Sequence, residues 1–291
     1  MAAQRAEAPP RPGLAALDPR RLRSGTVQVG GTAMGGVAVV TGGASGIGAA
    51  CCRALAAEGM AVAVLDLGDR ADAVAAEVGG RPYSADVSDE AALSACAARI
   101  EAEMGPVSVL VNNAGIIQAP LRPSALDMKL WDDVVRVDQR GVWLGCALFG
   151  GRMVGRRRGS IVNIASIVSL RATPLHAYGP AKAAVAAMTA NLAAEWGPAG
   201  VRVNAVSPGF VQTPALQAEI DAGRRDLSLI SGSAPLGRTV GMDEVAQAVV
   251  FLAGDRASAI TGVNLPVDCG WLAASGWATY GGLRGPEGAN A

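Results

Sequence analysis

Along the chain, short runs dense in valine, isoleucine and alanine alternate with longer stretches in which alanine and leucine recur at helical intervals. Seven short runs predict strands, at 37–40, 61–65, 81–84, 107–111, 160–164, 201–206 and 263–267. Helical stretches are predicted between them, such as 46–58, 91–104, 182–196 and 243–253, with a further helix at 141–153. The first two strand runs, 37–40 and 61–65, are continuously apolar instead of alternating, as expected of strands covered on both faces. Strand–helix alternation with right-handed crossovers predicts an α/β fold of the Rossmann type, a doubly wound seven-stranded parallel sheet in a single domain. That domain is expected over 36–272. Residues 1–35, rich in Pro, Arg, Ala and Gly, read as a disordered or loosely docked tail, and 273–291 as a C-terminal tail.

Composition narrows the function. With 291 residues, 51% of them apolar, the chain can bury a large core without disulfides. Formal net charge is +0, which gives no reason to expect a nucleic-acid surface or a polybasic membrane patch. The five cysteines form no C-x-x-C pair and read as buried apolar residues of a reducing, cytoplasmic compartment. A single histidine, His176, removes any histidine-cluster metal site and argues against a Ser-His-Asp hydrolase. No apolar run has the roughly 18 to 20 residues needed to cross a bilayer.

The chemistry begins where the first strand ends, in Thr41-Gly42-Gly43-Ala44-Ser45-Gly46-Ile47-Gly48. Glycines let the backbone turn tightly and approach a pyrophosphate, whose charge then meets the free N–H groups of a helix N-terminus. Asp66 closes the second strand, 18 residues after Gly48. An acidic side chain there accepts hydrogen bonds from ribose hydroxyls and repels a 2′-phosphate, and neither Ser45 nor Leu67 supplies a compensating cation. The cofactor expected is therefore NAD. Asp86-Val87 follows the third strand and Asn112-Asn113-Ala114-Gly115 the fourth, both at the sheet edge where open α/β sheets bind ligands.

In that order and spacing, these motifs resemble the short-chain dehydrogenase/reductase family, of the secondary-alcohol and hydroxysteroid dehydrogenase type. The likeness covers about residues 36 to 272. It implies a Tyr-x-x-x-Lys pair, met here by Tyr178 and Lys182, whose i, i+4 spacing puts both on one helical face. Pro180 suits only a first helical turn, so this helix is expected to begin near His176 or Ala177. The resemblance also implies a serine at the end of the fifth strand. Ser166, 12 residues before Tyr178, fits that place better than Ser169. A fourth catalytic position, usually asparagine, is Asp138 here. The family's asparagine works largely through its main-chain carbonyl, which an aspartate would retain. The alternative is that the carboxylate itself acts, raising the affinity of Lys182 for its proton and partly offsetting the lysine's pull on Tyr178. The backbone role is the one expected, because a charge facing a hydrated channel is well screened.

By the same resemblance, the cofactor site comprises Gly42, Ser45, Gly46, Ile47, Gly48, Asp66, Leu67, Asp86, Val87, Asn113, Ala114, Gly115, Tyr178, Lys182, Pro208, Gly209, Val211 and Thr213. The segment 210–235 is the expected substrate loop, with Ile117, Gln118, Leu170, Leu175 and His176 at the pocket edge. Trp271, Trp277 and Tyr280 are expected to cover the pocket or a subunit contact. A mostly apolar secondary alcohol, open-chain or cyclic, or its ketone, is the expected small-molecule partner, and a homotetramer or dimer, joined through the helices 141–153 and 182–196, the expected assembly. The competing readings are an NADPH-linked ketone or 3-oxoacyl reductase, which Asp66 argues against, and a catalytically silent NAD-binding protein. The intact Ser166, Tyr178 and Lys182 argue against the latter.

Overall fold

The structure, a computed structural model, describes residues 34–284. Seven parallel strands form one sheet in the order β3-β2-β1-β4-β5-β6-β7. They are β1 (Val37–Thr41), β2 (Ala61–Asp66), β3 (Arg81–Ser84), β4 (Val107–Asn112), β5 (Gly159–Ile164), β6 (Val201–Pro208) and β7 (Asn264–Val267). Chain direction across the sheet reverses between β1 and β4, the point at which doubly wound sheets open a crevice beyond their strand ends.

Alternate strand residues feed two cores. Val40, Val64, Val111 and Val206 pack beneath α1 (Gly46–Ala57) and the Met242–Ala253 helix. Val39, Leu65, Leu110, Ile161 and Val203 pack on the other face, beneath α3 (Glu90–Met104), the helical run 128–156 and the Tyr178–Trp196 helix. Each such fully buried side chain contributes about 1.5–3 kcal/mol. The central strands are buried on both faces as expected. The edge strands β3 and β7 are not, because each lacks a neighbour on one side.

Several elements differ from expectation. Thr41 and Asn112 extend their strands by one polar residue, paired in register with Leu65 and Asn163, while Asp66 closes β2 as expected, opposite Ser84. Val263 lies outside β7, since its N–H donates to the Asn204 side chain instead of joining the ladder. A short helix, α2 (Asp72–Val78), ends at Gly79 in the left-handed conformation. Within the run 128–156, Val135–Gly141 and Cys146–Gly150 are wound with wider, five-residue turns. The expected substrate loop contains two helices, Pro214–Asp221 and Leu227–Gly232.

Of the expected N-terminal tail, residues 1–33 lie outside the described residues, as do 285–291 of the C-terminal one. Met34 is docked: its N–H donates to the Glu58 carbonyl and its side chain packs against the first core. Trp271–Ala274 forms a helical turn, with Trp271 edge-on to Phe210 at 6.1 Å between ring centroids. Trp277 and Tyr280 are exposed. Among the described residues no helix is long and apolar enough to cross a membrane, and no cluster of His, Cys, Asp or Glu is built to hold a metal.

Candidate active site

The glycine-rich turn is locked from β4. Thr41 Oγ1 accepts the N–H groups of Asn113 and Ala114, and Asn113 Nδ2 donates to the carbonyls of Thr41 and Gly42. Gly42 and Gly46 have φ of +63° and +53°, which favours glycine. At Gly48 a Cβ would lie 2.0 Å from the Gly42 carbonyl oxygen, so only glycine lets α1 start this close to the turn. Ser45 caps α1 in an extended conformation without a side-chain cap bond, and Ile47 packs against the first core. Thr213 stands beside this turn, its methyl 3.8 Å from where a Cβ of Gly46 would be, and its hydroxyl caps the Pro214–Asp221 helix.

Asp66 is fixed in the crevice. Its Oδ2 accepts the Ala44 N–H at 3.0 Å and its Oδ1 the Leu67 N–H at 2.8 Å, leaving further lone pairs on both oxygens. Leu67 itself is exposed. Asp86 organises the turn after β3: Oδ1 accepts from Ser88 N and Oγ, and Oδ2 from Arg136. Burial works against its charge, but these donors outweigh it and hold the Asp86 carboxyl below the usual range. Val87 packs where a side chain at Gly141 would clash. Gly209 N–H donates to the Val267 carbonyl, and a Cβ on Gly209 would lie 2.8 Å from the Asp268 Cα, which fixes the Pro208–Gly209 corner against β7. Val211 is buried and bridges to Val240.

These residues fit a dinucleotide: a cradle closed by Gly48, the N–H groups of a helix N-terminus, and a carboxylate at the end of β2. Gly42, Ser45, Gly46, Ile47, Gly48, Asp66, Asn113, Ala114 and Gly115 all stand at this sheet edge, where Tyr178 and Lys182 also lie.

The Tyr178–Trp196 helix begins at Tyr178, one or two residues later than expected, with Pro180 in its first turn. Its N-cap residue, Ala177, offers no side-chain acceptor. Gln118 replaces one: its Oε1 accepts the N–H groups of Ala177 at 2.5 Å and Tyr178 at 3.1 Å. Gln118 is therefore buried inside this cap and not at a pocket edge. A second tie lies beneath the site, where Asn112 Nδ2 donates to Asn163 Oδ1 and Asn163 Nδ2 to Thr189 Oγ1, linking β4, β5 and the helix. Buried amides need partners, so Asn163 between Val162 and Ile164 is a signal of this network visible in the sequence. Nothing local announces Gln118.

Lys182 is buried. Its Nζ donates to the Ile164 carbonyl at 3.0 Å, lies 5.4 Å from the centroid of the Tyr178 ring and 3.2 Å from Asp138 Oδ2. Asp138 is fully buried, and Oδ1 accepts the Ile116 N–H at 2.8 Å. The expectation that its charge faces a hydrated channel is overturned: the wide-turned segment Val135–Gly141 directs it inward, against Gly115 and Lys182. Burial alone would push the Lys182 ammonium down, but the Asp138 carboxylate, with Tyr178, holds it above the ordinary lysine range. Burial raises the Asp138 carboxyl, with Lys182 opposing. Tyr178 ends above its ordinary value. Burial raises it, Lys182 lowers it, Asp138 raises it again and the Ser166 hydroxyl lowers it. Ser166 is buried at the end of β5, while Ser169 turns away to Ser207 and Asn264.

Residues 42–272 match the family model described as enoyl-(acyl carrier protein) reductase. The chain is 41% identical over 245 residues to D-threitol dehydrogenase of Mycolicibacterium smegmatis, covering 81% of this chain and 93% of that protein. It is similar to a structure titled ribose-5-phosphate isomerase from Brucella melitensis 16M, with 52% identity, TM-score 0.85, and 87% and 98% of the two chains covered. It is also similar to gluconate 5-dehydrogenase from Burkholderia cenocepacia J2315 in complex with NADP and tartrate, at 30% identity and TM-score 0.78, covering 82% and 95%. With this sheet order, glycine turn and match, the chain belongs to the short-chain dehydrogenase/reductase family.

Proposed function

We propose that the protein is an NAD-dependent oxidoreductase that interconverts a secondary alcohol and its ketone, with Ser166, Tyr178 and Lys182 as its catalytic residues. The observation that carries this reading is the convergence of the three at the sheet edge beside the glycine turn, with the Lys182 ammonium 5.4 Å from the Tyr178 ring. NAD would be held by the Gly42–Gly48 turn, Asp66 and the Asn113–Gly115 loop, and when bound it supplies the acceptor for the hydride of the carbinol carbon. Tyr178 Oη takes the alcohol proton in oxidation and returns it in reduction. The Ser166 hydroxyl holds the substrate oxygen and steadies charge developing on it. Lys182 sets the electrostatic field at the phenol.

A second reading, an NADP-linked reductase of carrier-bound oxoacyl groups, draws support from the description of the family model and from the NADP in the Burkholderia structure. Asp66 favours the first, since a carboxylate at the end of β2 would repel a 2′-phosphate and accept a hydrogen bond from a 2′-hydroxyl. The name of the threitol relative favours a polyol substrate, whereas the exposed Ile117 in the loop after β4 and Leu170 in the loop after β5 favour an apolar one. The test is therefore a screen of polyols, sugar acids and cyclic secondary alcohols with NAD and NADP. Tyr178→Phe is expected to lower kcat about 10²-fold or more while NAD still binds by calorimetry. Near-wild-type turnover in that variant would refute the assignment.

A further inference from the structure

The fourth position of this site carries a charge that an asparagine would not. Asp138 Oδ1 accepts the Ile116 N–H at 2.8 Å, a bond an asparagine oxygen could also make. Oδ2 lies buried without a well-aligned hydrogen bond, 3.2 Å from Lys182 Nζ. Gly115 closes over the pair, since a Cβ there would stand 2.8 Å from Oδ2 and 3.5 Å from Nζ. With 0% of Asp138 and 3% of Lys182 exposed, solvent does little to weaken the attraction. The ammonium is held between this carboxylate and the Ile164 carbonyl.

The groups facing Tyr178 are few. Lys182 comes from its own helix, Asp138 from the run 128–156, the Ser166 hydroxyl from the end of β5, and the neutral Gln118 from the loop after β4. Asp138's helical neighbours do not join the cluster: Arg136 pairs with Asp86 and Ser88, and Arg140 reaches Ser88 and Glu90. The charges acting on the phenol are therefore one cation and one anion, the Lys182 ammonium drawing it toward phenolate and the Asp138 carboxylate opposing.

Taking Tyr178 as the proton carrier, as above, we propose that Asp138 is a positioning residue that pins the Lys182 ammonium and offsets part of its field at Tyr178. Tyr178 then stays a phenol through neutral pH, where it serves as the proton donor for ketone reduction. It becomes a base for alcohol oxidation only in the alkaline range. The balance is one proton: in oxidation the alcohol O–H breaks and its proton goes to the Tyr178 phenolate, and in reduction the phenol O–H breaks and its proton goes to the forming alkoxide. The equilibrium between alcohol and ketone is unchanged; what Asp138 sets is the pH at which each direction runs.

The test compares kcat/KM against pH, in both directions, for the wild type and Asp138→Asn. Removing the anion should move the alkaline limb of oxidation down by about one pH unit or more, with reduction losing activity over the same range and NAD affinity unchanged. A profile that superimposes on the wild type would overturn the proposal. Should Asp138→Asn fail to fold, the cofactor-free wild type supplies a second readout. Phenolate absorbance of the wild type minus that of Tyr178→Phe reports Tyr178 alone. Ionisation above about pH 9, near or beyond the free tyrosine value of about 10, supports the proposal, and ionisation below about pH 9 overturns it. Activity surviving in Tyr178→Phe would defeat the proton-carrier reading itself. Superimposed profiles with an inactive Tyr178→Phe would defeat only the role of Asp138.

Discussion

Asp66 makes the sharpest prediction, because one carboxylate has two separable jobs. Its oxygens accept the Ala44 and Leu67 N–H groups at 3.0 and 2.8 Å, so it stands firmly at the end of β2. A 2′-phosphate bears between one and two negative charges. Next to a partly exposed carboxylate at about 4 Å, each unit charge is repelled by about 1 kcal/mol at water-like screening. NADP also forfeits a charge-assisted hydrogen bond from the 2′-hydroxyl, worth about 1.5–3 kcal/mol. The sum, about 2.5–5 kcal/mol, predicts a preference for NAD of roughly 10² to 4 × 10³-fold in kcat/KM, at about 1.4 kcal/mol for each factor of ten. The assay is initial rates with one alcohol and both cofactors at low and high salt. Salt should shrink the repulsive part of the preference and leave the hydrogen-bonded part. Asp66→Ala with Leu67→Arg should reverse the preference, while Asp66→Ala alone should also weaken NAD, because the Ala44 N–H loses its acceptor. Comparable kcat/KM for the two cofactors in the wild type would refute the reasoning.

Two further outcomes follow from side chains outside the chemistry. Gln118→Leu strands the buried N–H groups of Ala177 and Tyr178 and should cost about 1–3 kcal/mol in chemical unfolding, with a lower kcat; Gln118→Glu, which keeps an acceptor, should recover most of both, and a Leu variant as stable as wild type would exclude the cap. Glu244, held by Arg238 and the Gly241 N–H, has its carboxyl pushed down to about 2. A depressed folded value contributes stability above the unfolded value of about 4.3 and loses it as pH falls toward 2. Glu244→Gln should thus flatten the acid limb of thermal stability slightly and in a salt-dependent way, since the pair is half exposed, and an unaltered limb would refute it.

The sheet was legible because its central strands are largely apolar on both faces, and that pattern survives any choice of partner. Its errors lie where a polar residue decides the end of an element. Thr41 and Asn112 join their ladders by backbone pairing that hydrophobicity does not register. The run 128–156 was legible only in its second half, because the wider turns at Val135–Gly141 and Cys146–Gly150 shift the phase of the apolar face away from a 3.6-residue period. The cofactor turn was readable for the opposite reason. Its glycines answer to local geometry, a positive φ at Gly42 and a 2.0 Å clash at Gly48, and local geometry is written locally.

Asp138 and Gln118 show why the remainder of the site was not legible. Each is a polar residue whose placement depends on partners brought in from elsewhere in the fold: Ile116 and Lys182 for one, Ala177 and Tyr178 for the other. A sequence gives the residue type, while burial decides what that type does. An aspartate in a hydrated channel would have barely touched Tyr178. The same aspartate sealed under Gly115 cannot lose its partner cheaply, because either charge left alone in the interior pays the desolvation that the pair now shares. Asp138 and Lys182 therefore form one unit, and the titration they impose belongs to the group of three with Tyr178. Removing the lysine charge would strand a buried carboxylate beside the phenol and raise its pKa further, whereas removing the carboxylate frees the lysine field to act on it. The two substitutions push the pH profile in opposite directions, although both break the same ion pair.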